Sequence, residues 1–146
     1  MNKMIWVVAT VVFILDQFSK FLAIRRLNLN ESLAVIKDTF HLTLVRNTGA
    51  AFGIFKGATF FFIVIAILTV TAIVVYIRKT AKPLFLRDAA LGLILGGALG
   101  NLADRLRFGY VIDFLDFRIW PVFNVADSVV TIGAIMLVIC IPYSSK

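Results

Sequence analysis

Histidine and cysteine each occur once in the 146 residues, as His41 and Cys140, and proline occurs three times. A single cysteine excludes an intramolecular disulfide and any metal site built on paired thiolates. A single histidine excludes zinc chemistry of the His-Glu-x-x-His kind. A Ser–His–Asp triad would have to recruit His41, and no serine stands in a nucleophile-elbow setting. Charge is scarce as well, at 16% of residues, against about 25% in ordinary globular domains. What takes its place is apolar: 61% of the chain is hydrophobic, above the usual range of about 45–50%. A soluble chain of this length could not bury so much apolar surface, so the bilayer is the expected solvent. The formal net charge is +7. In a membrane protein such charge belongs to loops beside the lipid headgroups. No basic run with interleaved aromatics occurs in a soluble segment, so nucleic acid is not an expected partner.

Four apolar segments predict membrane helices at about 4–24, 58–77, 86–103 and 124–143. A bilayer core of about 30 Å needs roughly 20 residues of helix, and in lipid every backbone amide must be satisfied within its own segment. The expected fold is therefore an all-α membrane protein of four transmembrane helices, in a single domain over 1–146. The first segment is long for a signal core, carries Asp16 and Lys20, and ends without a small-x-small cleavage site, so it reads as a retained anchor.

The loops are unequal. Residues 78–87 hold four positive charges and no acid, whereas 25–57 is long enough to be structured. Within it, Phe40, Leu42 and Leu44 alternate with His41, Thr43 and Val45, a strand signal. Asn47-Thr48-Gly49 is turn chemistry, and 50–55 suits a short interfacial helix. Residues 105–122 are strand-like in part. Four spans put both termini on one side with 78–87. By count that side carries fewer Lys and Arg than the other, while by density it carries more, so charge leaves the orientation open.

A charge inside a membrane helix costs about 2.5–3.5 kcal/mol on insertion scales, yet this chain accepts several. Asp16 and Lys20 are four apart and share a helix face. Asn101, Asp104 and Arg105 make one polar stripe, and Asn124, Asp127, Ser128 and Thr131 make another. Successive helices alternate in direction, so all these groups fall toward the side of the two large loops. Interhelical glue, worth about 0.6–2 kcal/mol per contact, accounts for Ser128 and Thr131 and for the Asp16–Lys20 pair. It strains to account for Asp104, Asp113 and Asp127 together. Gly92, Gly96 and Gly100 at four-residue spacing suit close helix approach.

Carboxylates working without metal, histidine or thiol point to one chemistry. Two aspartates a few ångströms apart share a proton, so one activates water as a base while the other serves as acid. Spacing alone does not choose the pair, because Asp104, Asp113 and Asp116 all lie within 25 residues of Asp127. Asp113 has apolar neighbours, Val111, Ile112 and Phe114, which favour a protonated carboxyl.

Five blocks, in order, resemble those of the lipoprotein signal peptidase (signal peptidase II) family. They are Asp16-Gln17-Phe18-Ser19-Lys20, the run 47–53, the run 96–105, Val111-Ile112-Asp113-Phe114, and Phe123-Asn124-Val125-Ala126-Asp127-Ser128. The resemblance covers essentially the whole chain. It implies four helices with both termini cytoplasmic in the bacterial inner membrane. A small extracytoplasmic β-like cradle and a short interfacial helix are implied from the large loop. It further implies catalytic roles for Asp113 and Asp127, with Asn101, Arg105 and Asn124 around them. Asp16, Lys20, Asn47, Gly49 and Asp104 match supporting positions. No cofactor or metal is implied. The implied partners are membrane lipid and a prolipoprotein whose lipobox cysteine already carries diacylglycerol, cleaved just before that cysteine by a monomeric enzyme. The stretch between Asp113 and Asp127 is compact, a departure from longer relatives that implies different loop contacts to substrate. Two rivals remain: an ion-handling protein with a carboxylate–arginine relay, and a non-catalytic assembly subunit.

Overall fold

A computed structural model describes residues 3–49, 57–80 and 83–140. In chain order its elements are α1 (Lys3–Arg26), β1 (Ser32–Ile36), β2 (Phe40–Asn47), α2 (Thr59–Lys79), α3 (Phe85–Phe108), β3 (Val111–Asp116) and α4 (Val125–Cys140). Among the described residues, α1, α2 and α3 are long and apolar enough to cross a membrane, and α4 is apolar and shorter. The expected interfacial helix at 50–55 and the end of the fourth segment at 141–143 lie outside the described residues.

Burial is inverted relative to a water-soluble protein. Val7, Val11, Ile14, Leu15 and Phe18 of α1 are at least half exposed, while Asp16, Lys20, Asp104, Asp113 and Asn124 are essentially inaccessible. Lipid is the solvent that makes such an arrangement stable, because polar groups gain by facing one another inside the bundle.

α3 is the axis of the bundle and packs against α1, α2 and α4. Adjacent glycines make this possible on two sides at once. A Cβ at Gly96 would stand 2.6 Å from the Ala9 carbonyl oxygen of α1, and one at Gly97 would stand 2.7 Å from the Ala126 carbonyl oxygen of α4. Backbones this close bring their side chains within bonding reach. α1 and α3 run parallel, with Gly92 beside Ile5 and Val8, and Gly100 beside Asp16.

α3 continues to Phe108, past the end expected at 103, because nothing stops it before Gly109. That glycine takes φ 78° and donates its N–H to the Arg105 carbonyl at 3.0 Å, closing the helix in the left-handed conformation that glycine tolerates. Asn101, Asp104 and Arg105 therefore sit inside the last two turns of the helix, held on a rigid element.

The strands form an antiparallel sheet in the order β1-β2-β3. One side, with Leu44, Ile112 and Phe114, packs on Ala23 of α1 and on Leu27 just after it. Val45 stands opposite Asp113 and His41 opposite Asp116, with a register shift between Leu42 and Val45. Thr43 and Asn47 are four apart and share a face of β2, whereas Asp113 and Asp116, three apart, would face opposite ways in a regular strand. The shift reconciles them: Thr43 Oγ1 donates to Asp116 at 2.7 Å and Asn47 Nδ2 donates to Asp113 at 2.8 Å.

Candidate active site

The site forms where the C-terminal ends of α1 and α3 meet the start of α4 and the strand β3. Asn124 is the residue before α4, and its Oδ1 accepts the N–H of Asp127 at 2.9 Å. Asp127 Oδ2 in return accepts the N–H of Asn124 at 3.3 Å. This reciprocal cap satisfies amides at the helix start and fixes Asp127 within the first turn, where the helix dipole favours an anion.

Capping also sets the direction of the Asn124 amide. Its oxygen is committed to a backbone N–H, so its Nδ2 must face the site, donating to Asp113 Oδ1 at 2.6 Å and to Asn101 Oδ1 at 3.1 Å. The same logic applies to Asn101. Its oxygen accepts from the Lys20 ammonium at 2.8 Å, a group that can only donate, so its nitrogen turns to Asp127 Oδ1 at 2.8 Å. Asn47 repeats the pattern: its oxygen accepts the Gly49 N–H at 2.9 Å, and its nitrogen reaches the second oxygen of Asp113. Three asparagines thus aim N–H donors at two aspartates, each oriented by a partner that cannot accept.

Behind the asparagines lies a buried ionic cluster. Lys20 pairs with Asp16 at 2.8 Å and with Asp104 at 2.9 Å. Gln17, which sequence reasoning gave no role, donates to Asp104 at 3.0 Å and to the Gly100 carbonyl at 3.2 Å, and accepts from Arg107 at 3.2 Å. Its signals in sequence were adjacency to Asp16 and a place in the first of the five blocks.

Asn47, Gly49, Asn101, Arg105, Asp113 and Asp127 line one cleft of about 460 Å³, whose other wall is apolar, with Phe62 and Ile65 of α2, Ile94 of α3 and Val130 of α4. Asp16, Lys20, Asp104 and Asn124 stand behind that lining. Arg105 lies with its guanidinium 5.1 Å from the Phe62 ring centre and 3.5 Å from the Gly49 carbonyl. It therefore ties α3 to α2 and to the turn after β2. Its Nε is buried without a hydrogen-bond partner among the described residues. Asp116, by contrast, is engaged by Thr43 and by the N–H and guanidinium of Arg118.

Burial, and then the negative charge of Asp127, push the Asp113 carboxyl up to about 7; donation from Asn47 and Asn124 and the charge of Lys20 act in the opposite sense. A carboxyl there is poised between acid and base near neutrality. Two carboxyls lining one cleft with an apolar wall can activate water against a peptide bond.

A family model described as signal peptidase (SPase) II matches residues 8–143. A protein of Halothermothrix orenii named lipoprotein signal peptidase is 51% identical over 136 residues, covering 93% of each chain. One of the same name from Caldanaerobacter subterraneus is 52% identical over 132 residues, covering 90% of each. A solved structure described as a bacterial membrane enzyme superposes with a TM-score of 0.91 at 35% identity, covering 100% of this chain and 92% of that one.

Proposed function

Since the chain belongs to the signal peptidase II family, and is a peptidase of that type, we propose that Asp113 and Asp127 are its catalytic pair. They act in removing the signal peptide from prolipoproteins whose lipobox cysteine carries diacylglycerol. Cleavage falls just before that cysteine. The whole chain is one peptidase domain with four membrane spans, both termini cytoplasmic and the cleft near the extracytoplasmic face. It works as a monomer on a substrate delivered through lipid.

The observation that carries this reading is the pair of donations from bonded asparagines, Asn124 to Asp113 and Asn101 to Asp127. They hold two carboxyls beside one cleft at one end of the bundle. Like charges at short range keep one proton between them. The ionised member takes a proton from water as it attacks the scissile carbonyl. The protonated member gives its proton to the carbonyl oxygen; as the C–N bond of the resulting diol breaks, the first gives its proton to the leaving nitrogen and the second recovers one from a diol hydroxyl. Arg105, Asn47 and Gly49 border the reacting centre, and Asp16, Lys20 and Asp104 support it from behind. The apolar wall from α2 to α4 offers a path for an apolar signal helix to approach from the bilayer.

The experiment is cleavage of a diacylglyceryl-modified prolipoprotein by purified protein in detergent, with a chelator present and no metal added. The expected product begins at the lipid-modified cysteine. An uncleaved substrate, or a product beginning elsewhere, removes this reading.

A further inference from the structure

Lys20 has three donors and meets three acceptors: Asp16 Oδ2 at 2.8 Å, Asp104 Oδ2 at 2.9 Å and Asn101 Oδ1 at 2.8 Å. It is 2% exposed, with Asp16 at 0% and Asp104 at 1%. One lysine between two acids is common enough as a buried ion pair. What distinguishes this one is where the other bonds of the two acids go. Asp16 Oδ1 accepts the backbone N–H of Ala126 at 3.0 Å, the residue before Asp127. Asp104 Oδ2 accepts the backbone N–H of Ile112 at 3.2 Å, the residue before Asp113. Each carboxylate flanking the ammonium therefore holds the backbone one residue ahead of one member of the proposed catalytic pair. The third donor reaches Asp127 itself through Asn101.

We propose that Lys20 is a positioning residue that sets the separation of Asp113 and Asp127, by drawing together the two carboxylates that anchor their backbones. The proposal rests on reading Asp113 and Asp127 as the catalytic pair. Strand β3 and the start of α4 are already tied by the bridge of Leu115 to Phe123 and by Asn124 to Asp113. The ammonium adds a second tie from the α1–α3 side, through the residues just ahead of the two aspartates. Moving it or replacing it leaves the anchors in place and lets the distance between them relax. Proton sharing between carboxyls depends steeply on that distance, so the consequence appears in turnover rather than in substrate affinity. Arg105 and Arg107 are the other cations at this end of α3. Arg107 reaches Gln17 and Arg105 faces the cleft, so neither stands between Asp16 and Asp104.

The test uses two variants in the full chain. The first is Lys20→Met combined with Asp16→Asn and Asp104→Asn, which removes all three charges while leaving amide oxygens to accept the Ala126 and Ile112 N–H groups. The second is Lys20→Arg, which keeps the buried charge in a longer, planar form. Both are read by melting in detergent, by kcat and KM on diacylglyceryl-modified prolipoprotein, and by the pH profile of kcat. The expected result is folded enzyme with little change in KM and kcat lower by about a hundredfold, the scale of a small misplacement of reacting groups. The two limbs of the pH profile should also draw together as coupling between the carboxyls weakens. Wild-type kcat and an unchanged profile in either folded variant overturn the proposal. Failure of both to fold overturns it too, by assigning Lys20 to folding alone. Asp113→Asn in the otherwise native chain separates this from the underlying reading: if that variant is active, the catalytic pair is wrong. If it is inactive while the Lys20 variants are normal, only the clamp is wrong.

Discussion

Asn124 donates to Asp113 at 2.6 Å with the same side chain whose oxygen caps α4 through the Asp127 N–H. Helix initiation and site assembly therefore run through one side chain. Two substitutions pull the roles apart. Asn124→Ser keeps a capping oxygen but is too short to reach Asp113, so it should fold near normally and lose most turnover. Asn124→Ala should lose turnover and, with the cap gone, about 1 kcal/mol of stability as well. Melting and cleavage rates measured side by side distinguish them. Equal turnover in Asn124→Ser and the native chain would mean that the bond to Asp113 is idle.

The alkaline limb of the pH–kcat profile should fall near the value of about 7 to which burial and Asp127 push the Asp113 carboxyl. Above it the pair has lost its shared proton and the acid role is vacant. Asn47 donates to Asp113 and so favours the ionised form. Asn47→Ala should consequently move that limb to higher pH, as read from rate profiles of both proteins. The linkage to stability has the opposite sense to that of a salt-bridged aspartate. Folded Asp113 holds its proton up to about 7, while the unfolded chain releases it near the ordinary 3.8. Its contribution is therefore greatest at low pH and declines as pH rises through that window.

How much of this was legible in the sequence varies with the range of the interaction. Asp16 and Lys20 announce their pairing by four-residue spacing, and the strand at β2 by its alternation. Asp104 as the third member of that cluster is invisible, because it joins from 84 positions beyond Lys20 and only the Gly96 and Gly100 approach brings it there. The reach of Asn47 to Asp113 depends on a register shift between β2 and β3, and nothing in either strand's composition states a register. The extra turn of α3 beyond 103 was hidden because Asp104, Arg105 and Arg107 interrupt the apolar run. The stop signal was Gly109, six residues past the end of the apolar run. Which two of the acids share the cleft was likewise open from spacing, and the family resemblance supplied the choice of Asp113 and Asp127.

Gly97→Ala tests the packing that brings α4 to α3. The added carbon would stand 2.7 Å from both the Ala126 carbonyl oxygen and a Val130 methyl group. Backbone cannot yield as a side-chain tip does, so α4 must shift, taking Asp127 with it. Overpacking of this kind costs about 1–3 kcal/mol. The expected outcome is a lower melting temperature together with reduced kcat in the protein that remains folded. An unchanged melting temperature would show that α4 slides freely at this contact.

The parallel course of α1 and α3 places the sheet and the cleft at one end of the bundle and Arg78, Lys79 and Arg87 at the other, the end that the proposed orientation makes cytoplasmic. Cysteine introduced at Lys79 should resist an impermeant thiol reagent in intact cells, and cysteine at His41 or Phe117 should react, in a Cys140→Ser background. The reverse pattern would invert the protein and put the cleft on the cytoplasmic side.

The decisive prediction concerns Asp113 and Asp127 together. Each carboxyl oxygen already accepts one N–H donor, from Asn47 and Asn124 on Asp113 and from Asn101 and the Asn124 backbone on Asp127, and keeps a lone pair for water or the shared proton. Replacing either with Asn brings an amide nitrogen against those donors or removes the acid–base group, and leaves the shape of the cleft almost unchanged. The reaction needs one ionised and one protonated carboxyl, so each single variant should lower kcat by at least about a thousandfold. The double variant should be no worse than either, as for groups acting as a unit. Asp116→Asn is the control. It lies on the same strand, but its bonds run to Thr43 and Arg118 and it does not line the cleft, so turnover should stay close to native. Cleavage is followed on diacylglyceryl-modified prolipoprotein with proteins matched for folded fraction by melting. Additive losses in the double variant would mean that the two aspartates act independently, and an active Asp113→Asn enzyme would remove water activation by this pair altogether.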